Sequence, residues 1–377
     1  MLKRICFITG TRADFGKLKP LIDVVKKSER FKIDIFATGM HTLSKYGLTV
    51  NEIYKAGFKK NVHVYMNQIY GEPMDLILAN TVNGLGRYIR EVAPDLIVVH
   101  GDRVESLAGA IVGSLNNILV AHIEGGEVSG TVDELMRHAI SKLSHLHFVS
   151  NKNAANLLVQ MGEIPENVFQ IGSPEIDIML SKKLPSLAEI KRKYGIKFKD
   201  YSIVLFHPVT TEIGNMADYT KQLTTALIDS GLNYVVIFPN NDEGNQHIFD
   251  GYAELKNYPQ HFRLFPSLRF EYFLVLLKHS QFIVGNSSVG VREAPVFAVP
   301  TINIGTRQNH RFTYKSIIDV APDGNSIKSA INQALNMRIK NRCLHFGAGK
   351  SAGKFIEIIS KPKFWQTSHQ KHFAKSI

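Results

Sequence analysis

Cysteine is scarce in this sequence, and long apolar runs are lacking. Only two cysteines occur among 377 residues, Cys6 and Cys343, and neither has the CxxC or Cys/His spacing of a metal or redox site. No stretch approaches the ~18 apolar residues that span a bilayer, and the apolar part of MLKRICFITG is too short for a signal peptide. We therefore expect a cytoplasmic protein without membrane association, with reduced cysteines that serve packing and with no bound metal.

Nucleic-acid-binding motifs are also lacking, although the formal net charge is +12. Lysine and arginine are scattered along the chain, and basic and aromatic residues are not interleaved on any one segment. This distribution favours a solvated basic surface that attracts anionic small molecules over a nucleic-acid partner.

The sequence does contain a repeated alternation of short β-branched runs and longer amphipathic stretches. This pattern is typical of parallel strands joined by crossover helices, and it restarts at residue 202 after a charged stretch. The length favours more than one domain. We therefore predict an α/β protein with two Rossmann-like doubly wound parallel sheets, the first domain spanning 1–174 and the second 175–361. The predicted strands are Arg4–Thr9, Lys32–Ala37, Asp95–His100, Ile118–His122, His145–Val149, Ser202–Phe206, Tyr234–Phe238, Arg263–Phe265, Phe282–Val284 and Thr301–Ile304.

Three carboxylates follow neighbouring predicted strands of the first domain. Asp102 comes after one strand, and Glu124 and Asp133 come after the next. Ligands of open parallel sheets bind beyond the carboxyl ends of the strands, so these side chains are candidate catalytic groups. Singly, each is equally consistent with a turn former or a helix N-cap. Arg137, four residues after Asp133, is interpreted as part of a common helix-surface ion pair.

Two further turns carry polar groups at predicted strand ends. GTRADFGKLKP places Arg12 and Lys17 at the start of a helix, where free backbone N–H groups also attract anions. Both are equally typical of an exposed helix start. HPVTTE places His207 at a strand end in the second domain, and histidine is the side chain that titrates near neutrality. A structural histidine is the alternative there.

The segment IVGNSSVGVREAP gives the strongest local indication of a phosphate site. A predicted strand ends in glycine and asparagine, and the hydroxyls of Ser287 and Ser288 then open a helix whose N–H groups suit a pyrophosphate. Glu293, about two turns into this helix, is a candidate for ribose hydroxyls. Arg307 in GTRQNHR follows the next strand and is a further candidate phosphate ligand.

Taken together, these stretches resemble the hydrolysing branch of the UDP-N-acetylglucosamine 2-epimerase family, which serves sialic-acid biosynthesis. The similarity covers almost the whole chain and is carried by GTRADFGKLKP, NQIYGEPM, HGDRVESLAGA, HIEGGEVSGTVDELMRHAISKLSH, FHPVTTE, RFEYFLVLLKH and GNSSVGVREAP. It implies the GT-B fold, with a cleft between the two domains and a C-terminal helix at about 362–377 that packs back on the first. It also implies a homodimer or larger homo-oligomer and no cofactor.

The resemblance further implies the reaction and the residues that perform it. UDP-GlcNAc would lose UDP by elimination to a glycal intermediate, and hydration with inversion at C2 would give N-acetylmannosamine (ManNAc). The implied catalytic residues are Asp102, Glu124, Asp133 and His207, and the implied UDP ligands are Arg12, Gly16, Lys17, Arg103, Ser287, Ser288, Glu293 and Arg307.

Three alternatives remain open from the sequence. The substrate could be a UDP-2,4-diacetamido-trideoxy sugar of the legionaminic pathway, because the contact to the C4 substituent cannot be identified. A GT-B glycosyltransferase would share the fold and the UDP site but would need an acceptor. A non-catalytic UDP-sugar sensor would have little use for three clustered carboxylates.

Overall fold

Two parallel β-sheets organise the chain in the computed structural model, which describes residues 2–129 and 132–374. Unit 1 contains 2–127, 133–181 and 345–374, and unit 2 contains 182–344 together with Val128, Ser129 and Val132. None of the helices in the described ranges is both long and apolar enough to cross a membrane.

The strands and helices alternate along the chain as a doubly wound fold requires. The strands are β1 Lys3–Thr9, β2 Phe31–Ala37, β3 Val62–Val64, β4 Leu96–His100, β5 Leu119–Ile123, β6 Leu146–Val149, β7 Val168–Gln170, β8 Ser202–Leu205, β9 Tyr234–Ile237, β10 Phe262–Phe265, β11 Ile283–Gly285, β12 Thr301–Ile304 and β13 Ile317–Val320. The α-helices are α1 Arg12–Lys27, α2 Val50–Ile53, α3 Met74–Val92, α4 Val104–Leu115, α5 Val132–Leu143, α6 Lys152–Gln160, α7 Pro174–Met179, α8 Leu187–Tyr194, α9 Met216–Asp229, α10 Asn245–Leu255, α11 Phe270–Lys278, α12 Ser288–Arg292, α13 Gly324–Asn336 and α14 Ser351–Ile359.

The sheet of unit 1 is buried on both faces. Its strand order is β3-β2-β1-β4-β5-β6-β7, and all pairs are parallel. Successive residues of a strand face opposite sides, so Ile5 and Phe7 join one apolar core while Cys6 and Ile8 join another. This two-sided burial explains why the central strands are nearly continuous apolar runs.

Unit 2 repeats the same topology with six strands. Its order is β10-β9-β8-β11-β12-β13, again parallel throughout, over a core that includes Val204, Val236 and Ile302. In both units the strand order reverses once, between β1 and β4 in unit 1 and between β8 and β11 in unit 2. Such a reversal opens a crevice at the carboxyl ends of the strands, where ligands of this fold class bind.

The fold class is confirmed, and each of the ten predicted strands overlaps an observed strand. Three strands were missed: Val62–Val64, Val168–Gln170 and Ile317–Val320. All three lie at sheet edges and none of their residues is buried. Edge strands need no continuous apolar run, so the pattern that reveals central strands is absent from them.

The C-terminal region differs from the expectation in two ways. The expected helix at 362–377 is wrong for its described part: a short 3₁₀ helix covers Pro362–Gln366, and 367–374 is not helical, while 375–377 lies outside the described residues. The boundary of the units lies after 181 instead of 174, and the chain returns to unit 1 at 345 instead of 362. A helix cap joins the two segments within unit 1: the Asp177 carboxylate accepts hydrogen bonds from the backbone N–H groups of Ser351 and Ala352 at 2.9 and 2.8 Å.

Candidate active site

Glu124 is the first of the predicted catalytic carboxylates, and it forms a buried charge cluster with His100 and Asp14 at the carboxyl edge of the unit 1 sheet. His100 Nδ1 lies 2.8 Å from Asp14 Oδ1, and His100 Nε2 lies 3.3 Å from Glu124 Oε2. Burial by itself lowers the pKa of His100, but the Glu124 and Asp14 carboxylates outweigh it and raise the pKa to about 10. A protonated His100 between two carboxylates therefore holds Glu124 in place.

Asp14 connects this cluster to the first turn of the sheet. It is the third residue of α1, where Thr11 is the N-cap and accepts a hydrogen bond from Asp14 N at 3.1 Å. Asp14 Oδ2 in turn accepts from the backbone N–H of Gly10 at 3.1 Å. Together the two hydrogen bonds, which differ from a standard capping box because Asp14 accepts from the residue before the N-cap, fix the start of α1 and leave Asp14 Oδ1 directed at His100.

The backbone of Glu124 has an unusual conformation. Its φ is +64°, in the left-handed region that residues with a Cβ rarely adopt. Holding such a residue there costs on the order of 1–3 kcal/mol, and the surrounding structure must impose it. Here the backbone N–H of Glu124 donates to Phe148 O at 2.9 Å, which fixes the turn after β5. Strain of this kind is common at functional sites.

Asp102 is paired with Arg137 of α5. The Arg137 guanidinium donates to Asp102 Oδ2, and the Arg137 side chain is 2% exposed. The interpretation of Arg137 as part of a helix-surface pair is therefore wrong, because Arg137 lies on the buried face of α5. Since Asp133 is one turn earlier on the same helix, the ion pair also ties the helix that carries Asp133 to the Asp102 loop.

His122 of β5 also contacts both α5 and the loop that carries Asp102. Burial lowers its pKa to about 3, so the ring is neutral at physiological pH. Its Nε2 contacts the Gly101 carbonyl at 2.8 Å and must donate there, which leaves Nδ1 to accept from Ser141 Oγ of α5 at 3.0 Å. His122 thus joins α5 to the turn that precedes Asp102.

The remaining predicted residues of unit 1 lie at strand ends or in the first two turns of α1. Arg12 and Gly16 are in α1, and an Arg12 Nη atom lies 3.9 Å from Glu52 Oε1. Lys17 Nζ lies 3.6 Å from Glu175 Oε1, a fully buried carboxylate at the start of α7. Arg103 is the N-cap of α4.

In unit 2, His207 lies at the strand reversal. Its backbone N–H donates to Asn286 Oδ1 at 2.7 Å, and Asn286 Nδ2 donates back to the His207 carbonyl at 2.9 Å. The backbone N–H of Asn240 donates to His207 Nδ1 at 3.1 Å. A neutral His207 therefore carries its proton on Nε2.

The four predicted UDP ligands of unit 2 lie in the segments that follow β11 and β12, and the first of them comes directly after Asn286. Ser287 is the N-cap of α12, a helix of five residues that starts at Ser288. Glu293 is its C-cap and fully buried, so the expected position two turns into a helix is wrong. Arg307 is 9% exposed, and its guanidinium lies 3.4 Å from the Asn286 carbonyl.

Close packing at β11 requires the glycine that precedes this segment. Gly285 has a φ of +141°, and a Cβ there would lie 2.1 Å from the Leu205 carbonyl of β8. Only glycine fits such an approach. The glycine therefore allows the loop after β11 to begin directly beside the end of β8.

Sequence reasoning missed His100 and Asp14 and undervalued Arg137. His100 is the last residue of β4, whereas the predicted site residues all lie in the turns and helices that follow the strands. A histidine that ends an apolar strand directly before an acidic turn is the sequence signal that could have identified His100. Across 2–129 and 132–374, no group of three or more His, Cys, Asp or Glu side chains is arranged to hold a metal ion.

Comparison with known proteins identifies relatives along nearly the full length. The chain is 48% identical over 375 residues to a UDP-N-acetylglucosamine 2-epimerase from Neisseria meningitidis serogroup B, covering 99% of each protein. It is 33% identical to a hydrolyzing UDP-N,N'-diacetylbacillosamine 2-epimerase from Legionella pneumophila, covering 95% of this chain and 96% of that protein.

A solved structure has the same fold at lower identity. The crystal structure of Methanocaldococcus jannaschii UDP-GlcNAc 2-epimerase in complex with UDP-GlcNAc and UDP aligns with a TM-score of 0.79 and 21% identity, covering 95% of this chain and 99% of that one. The family model described as UDP-N-acetylglucosamine 2-epimerase matches residues 23–360. The chain therefore belongs to the UDP-N-acetylglucosamine 2-epimerase family of enzymes.

Proposed function

We propose that this protein is a hydrolysing UDP-GlcNAc 2-epimerase that converts UDP-GlcNAc and water to ManNAc and UDP, the first step of sialic-acid biosynthesis. The observation that carries the proposal is the 48% identity, over 99% of both chains, to the Neisseria enzyme. The sequence motifs of the hydrolysing branch, and a relative that is itself described as hydrolyzing, support the hydrolytic outcome.

The reaction consists of two steps with opposite proton movements at C2. In the first, a base removes the C2 proton, the C1–O bond to UDP breaks and a C1=C2 double bond forms. In the second, water adds its oxygen to C1 while a proton is delivered to C2 on the other face, which gives the manno configuration. The enzyme therefore needs both a base and an acid near C2, and a group that activates water.

The carboxylates of unit 1 have environments that suit different roles. Glu124 is 5% exposed and faces protonated His100, whereas the Asp102 side chain is 24% exposed and faces the Arg137 guanidinium. Asp133 is half-buried in the first turn of α5. We propose that these three carboxylates share the proton transfers and the activation of water, because neighbouring acids in unlike environments can hold different protonation states.

The departing UDP needs compensation for its developing negative charge. In unit 2 we propose that Ser287, Ser288 and Arg307 bind the diphosphate, that Glu293 binds the ribose and that His207 donates from Nε2 toward the sugar–phosphate bond. In unit 1, Arg12, Gly16, Lys17 and Arg103 would add further UDP contacts. Donors held in place before the reaction stabilise such charge without reorganisation.

Incubation of the purified protein with UDP-GlcNAc and no acceptor tests the proposal. Free ManNAc and UDP are expected in equal amounts. Release that depends on an added acceptor would identify a glycosyltransferase, and binding without turnover would identify a sensor.

Asp102→Asn and Glu124→Gln should abolish sugar release while UDP binding persists, and near-normal turnover in either variant would contradict its assignment. Arg307→Ala should mainly weaken UDP binding.

The second candidate substrate is a UDP-2,4-diacetamido-trideoxy sugar. The Legionella relative, described as acting on UDP-N,N'-diacetylbacillosamine, favours it, at 33% identity. A direct comparison of kcat/KM for the two nucleotide sugars separates the candidates. We expect UDP-GlcNAc to be preferred, and a higher kcat/KM for the diacetamido sugar would reverse the assignment.

A further inference from the structure

We propose that Glu105 is a positioning residue that orients the Arg103 guanidinium at the carboxyl edge of the unit 1 sheet, and that Gly10 and Gly39 make room for it. The inference rests on the proposed function, in which Arg103 contacts UDP. It assigns a task to a buried carboxylate that the proposed chemistry does not use.

Glu105 is in the first turn of α4 but is almost completely buried, with 1% of its surface exposed. Its Oε2 accepts a hydrogen bond from Arg103 Nε at 3.2 Å, while its Oε1 has no hydrogen-bond partner among the described residues. A carboxylate is costly to bury unless it is paired. Arg103 is the cation that offsets this cost.

Two glycines from neighbouring strand ends enclose this carboxylate. A Cβ on Gly10, after β1, would lie 2.7 Å from Glu105 Cδ, and a Cβ on Gly39, after β2, would lie 2.3 Å from Glu105 Oε1. Gly39 also has a φ of +63°, which strains any other residue. The backbone on two sides therefore leaves the Glu105 side chain little freedom, and its position fixes that of the Arg103 Nε.

The hydrogen bond from Arg103 Nε to Glu105 fixes the orientation of the Arg103 guanidinium plane. Arg103 is the N-cap of α4, with an extended backbone and a side chain that is 26% exposed. Glu105 engages the Nε–H, while the two Nη atoms together present N–H donors on a different edge of the planar guanidinium. That planar fork matches phosphate oxygens, so a fixed plane should favour a diphosphate.

The same local pattern occurs once more in the described part of the chain and serves as a matched control. Arg269 is the N-cap of α11, and its Nε donates to Glu271 Oε2 at 3.1 Å. There the side chains are more exposed, at 37% and 17%, and none of the described glycines has the Glu271 carboxylate as its nearest neighbour. The pattern alone is thus an ordinary helix-start contact, and what distinguishes Glu105 is its burial between glycines.

Isothermal titration of UDP in the absence of turnover tests the inference. Arg103→Met and Glu105→Gln are each expected to weaken UDP binding about ten-fold, the size of a lost charge-assisted interaction. The double variant should be no weaker than Arg103→Met alone, because Glu105 acts through Arg103, and Glu271→Gln should bind as the wild type does. Multiplicative losses in the double variant, or an unchanged Kd in Glu105→Gln, would overturn the inference.

Arg103→Lys provides a test that leaves Glu105 in place. Lysine keeps the charge but has no planar fork, so it should recover only part of the UDP affinity that Arg103→Met loses. Wild-type affinity in Arg103→Lys would show that charge alone suffices and would overturn the positioning role. A wild-type chain that binds no UDP would overturn the proposed function, and this inference with it, whereas wild-type binding with multiplicative losses would overturn the inference alone.

Discussion

His100 should make unit 1 less stable as the pH rises above neutrality. Its pKa is raised from 6.5 to about 10 in the folded protein by Glu124 and Asp14 against the opposing effect of burial. A histidine with a raised folded pKa contributes stability that is fully present below 6.5 and is lost as the pH rises through about 10. At about 1.4 kcal/mol per pH unit, the whole contribution is on the order of 5 kcal/mol.

The measurement is urea unfolding of the wild type and His100→Gln at pH 7, 8 and 9. Trp365 is the only tryptophan of the chain and belongs to unit 1, where its indole N–H donates to Ile359 O at 2.7 Å. Its fluorescence therefore reports the unit that contains His100. From pH 7 to 9 the wild type should lose on the order of 3 kcal/mol relative to the variant.

A matched control is His145→Gln, because His145 is also buried but its ring faces the backbone groups of Val120 and His369. This control should lose stability with pH in parallel with the wild type. If His100→Gln loses as much stability as the wild type between pH 7 and 9, His100 is not protonated in the folded state. The inference that a protonated His100 holds Glu124 in place would then be refuted.

Three further substitutions test other parts of the site and its support. Glu124→Gly should be more stable than Glu124→Ala by about 1 kcal/mol, because glycine accepts the positive φ, and equal urea midpoints would argue against backbone strain there. Arg137→Met should cost about 1–3 kcal/mol because it removes the charge-assisted hydrogen bond from the buried guanidinium to Asp102, and an unchanged urea midpoint in the same assay would contradict the ion pair. Lys371→Met should lower stability by about 1–3 kcal/mol, because Nζ contacts the Ser144 carbonyl at 2.6 Å and Glu163 Oε2 at 2.6 Å; an unchanged urea midpoint would exclude this anchor.

The central strands could be predicted from the sequence because two-sided burial leaves a visible trace. Strands such as β4 and β5 consist entirely of buried residues, so their apolar runs stand out between polar turns. The edge strand Val62–Val64 has no buried residue and no such trace. The expectation of a C-terminal helix failed because this segment has no helical apolar stripe. Phe364 packs in the unit 1 core from a short 3₁₀ helix, and the residues after it are held by single groups, such as Lys371 Nζ with the Ser141 carbonyl.

The place of the candidate site residues at the sheet edge could be predicted from the sequence, but the side chains that they pair with could not. Asp102 and Glu124 follow adjacent parallel strands, so their place at one sheet edge followed from the alternation alone. The His100–Asp14 contact joins residues 86 positions apart. It depends on the placement of β4 beside β1, where the strand order reverses, and no local pattern encodes that neighbourhood. The same holds for Arg137, whose burial depends on which face of α5 meets the Asp102 loop.

The proposed function requires that this enzyme removes and replaces the proton at C2 while it releases UDP. NMR of the products formed from UDP-GlcNAc alone in deuterated water tests this most directly. We expect free ManNAc with deuterium at C2 and an equal amount of UDP. A released sugar that retains the original hydrogen at C2, or no released sugar without an acceptor, would contradict it.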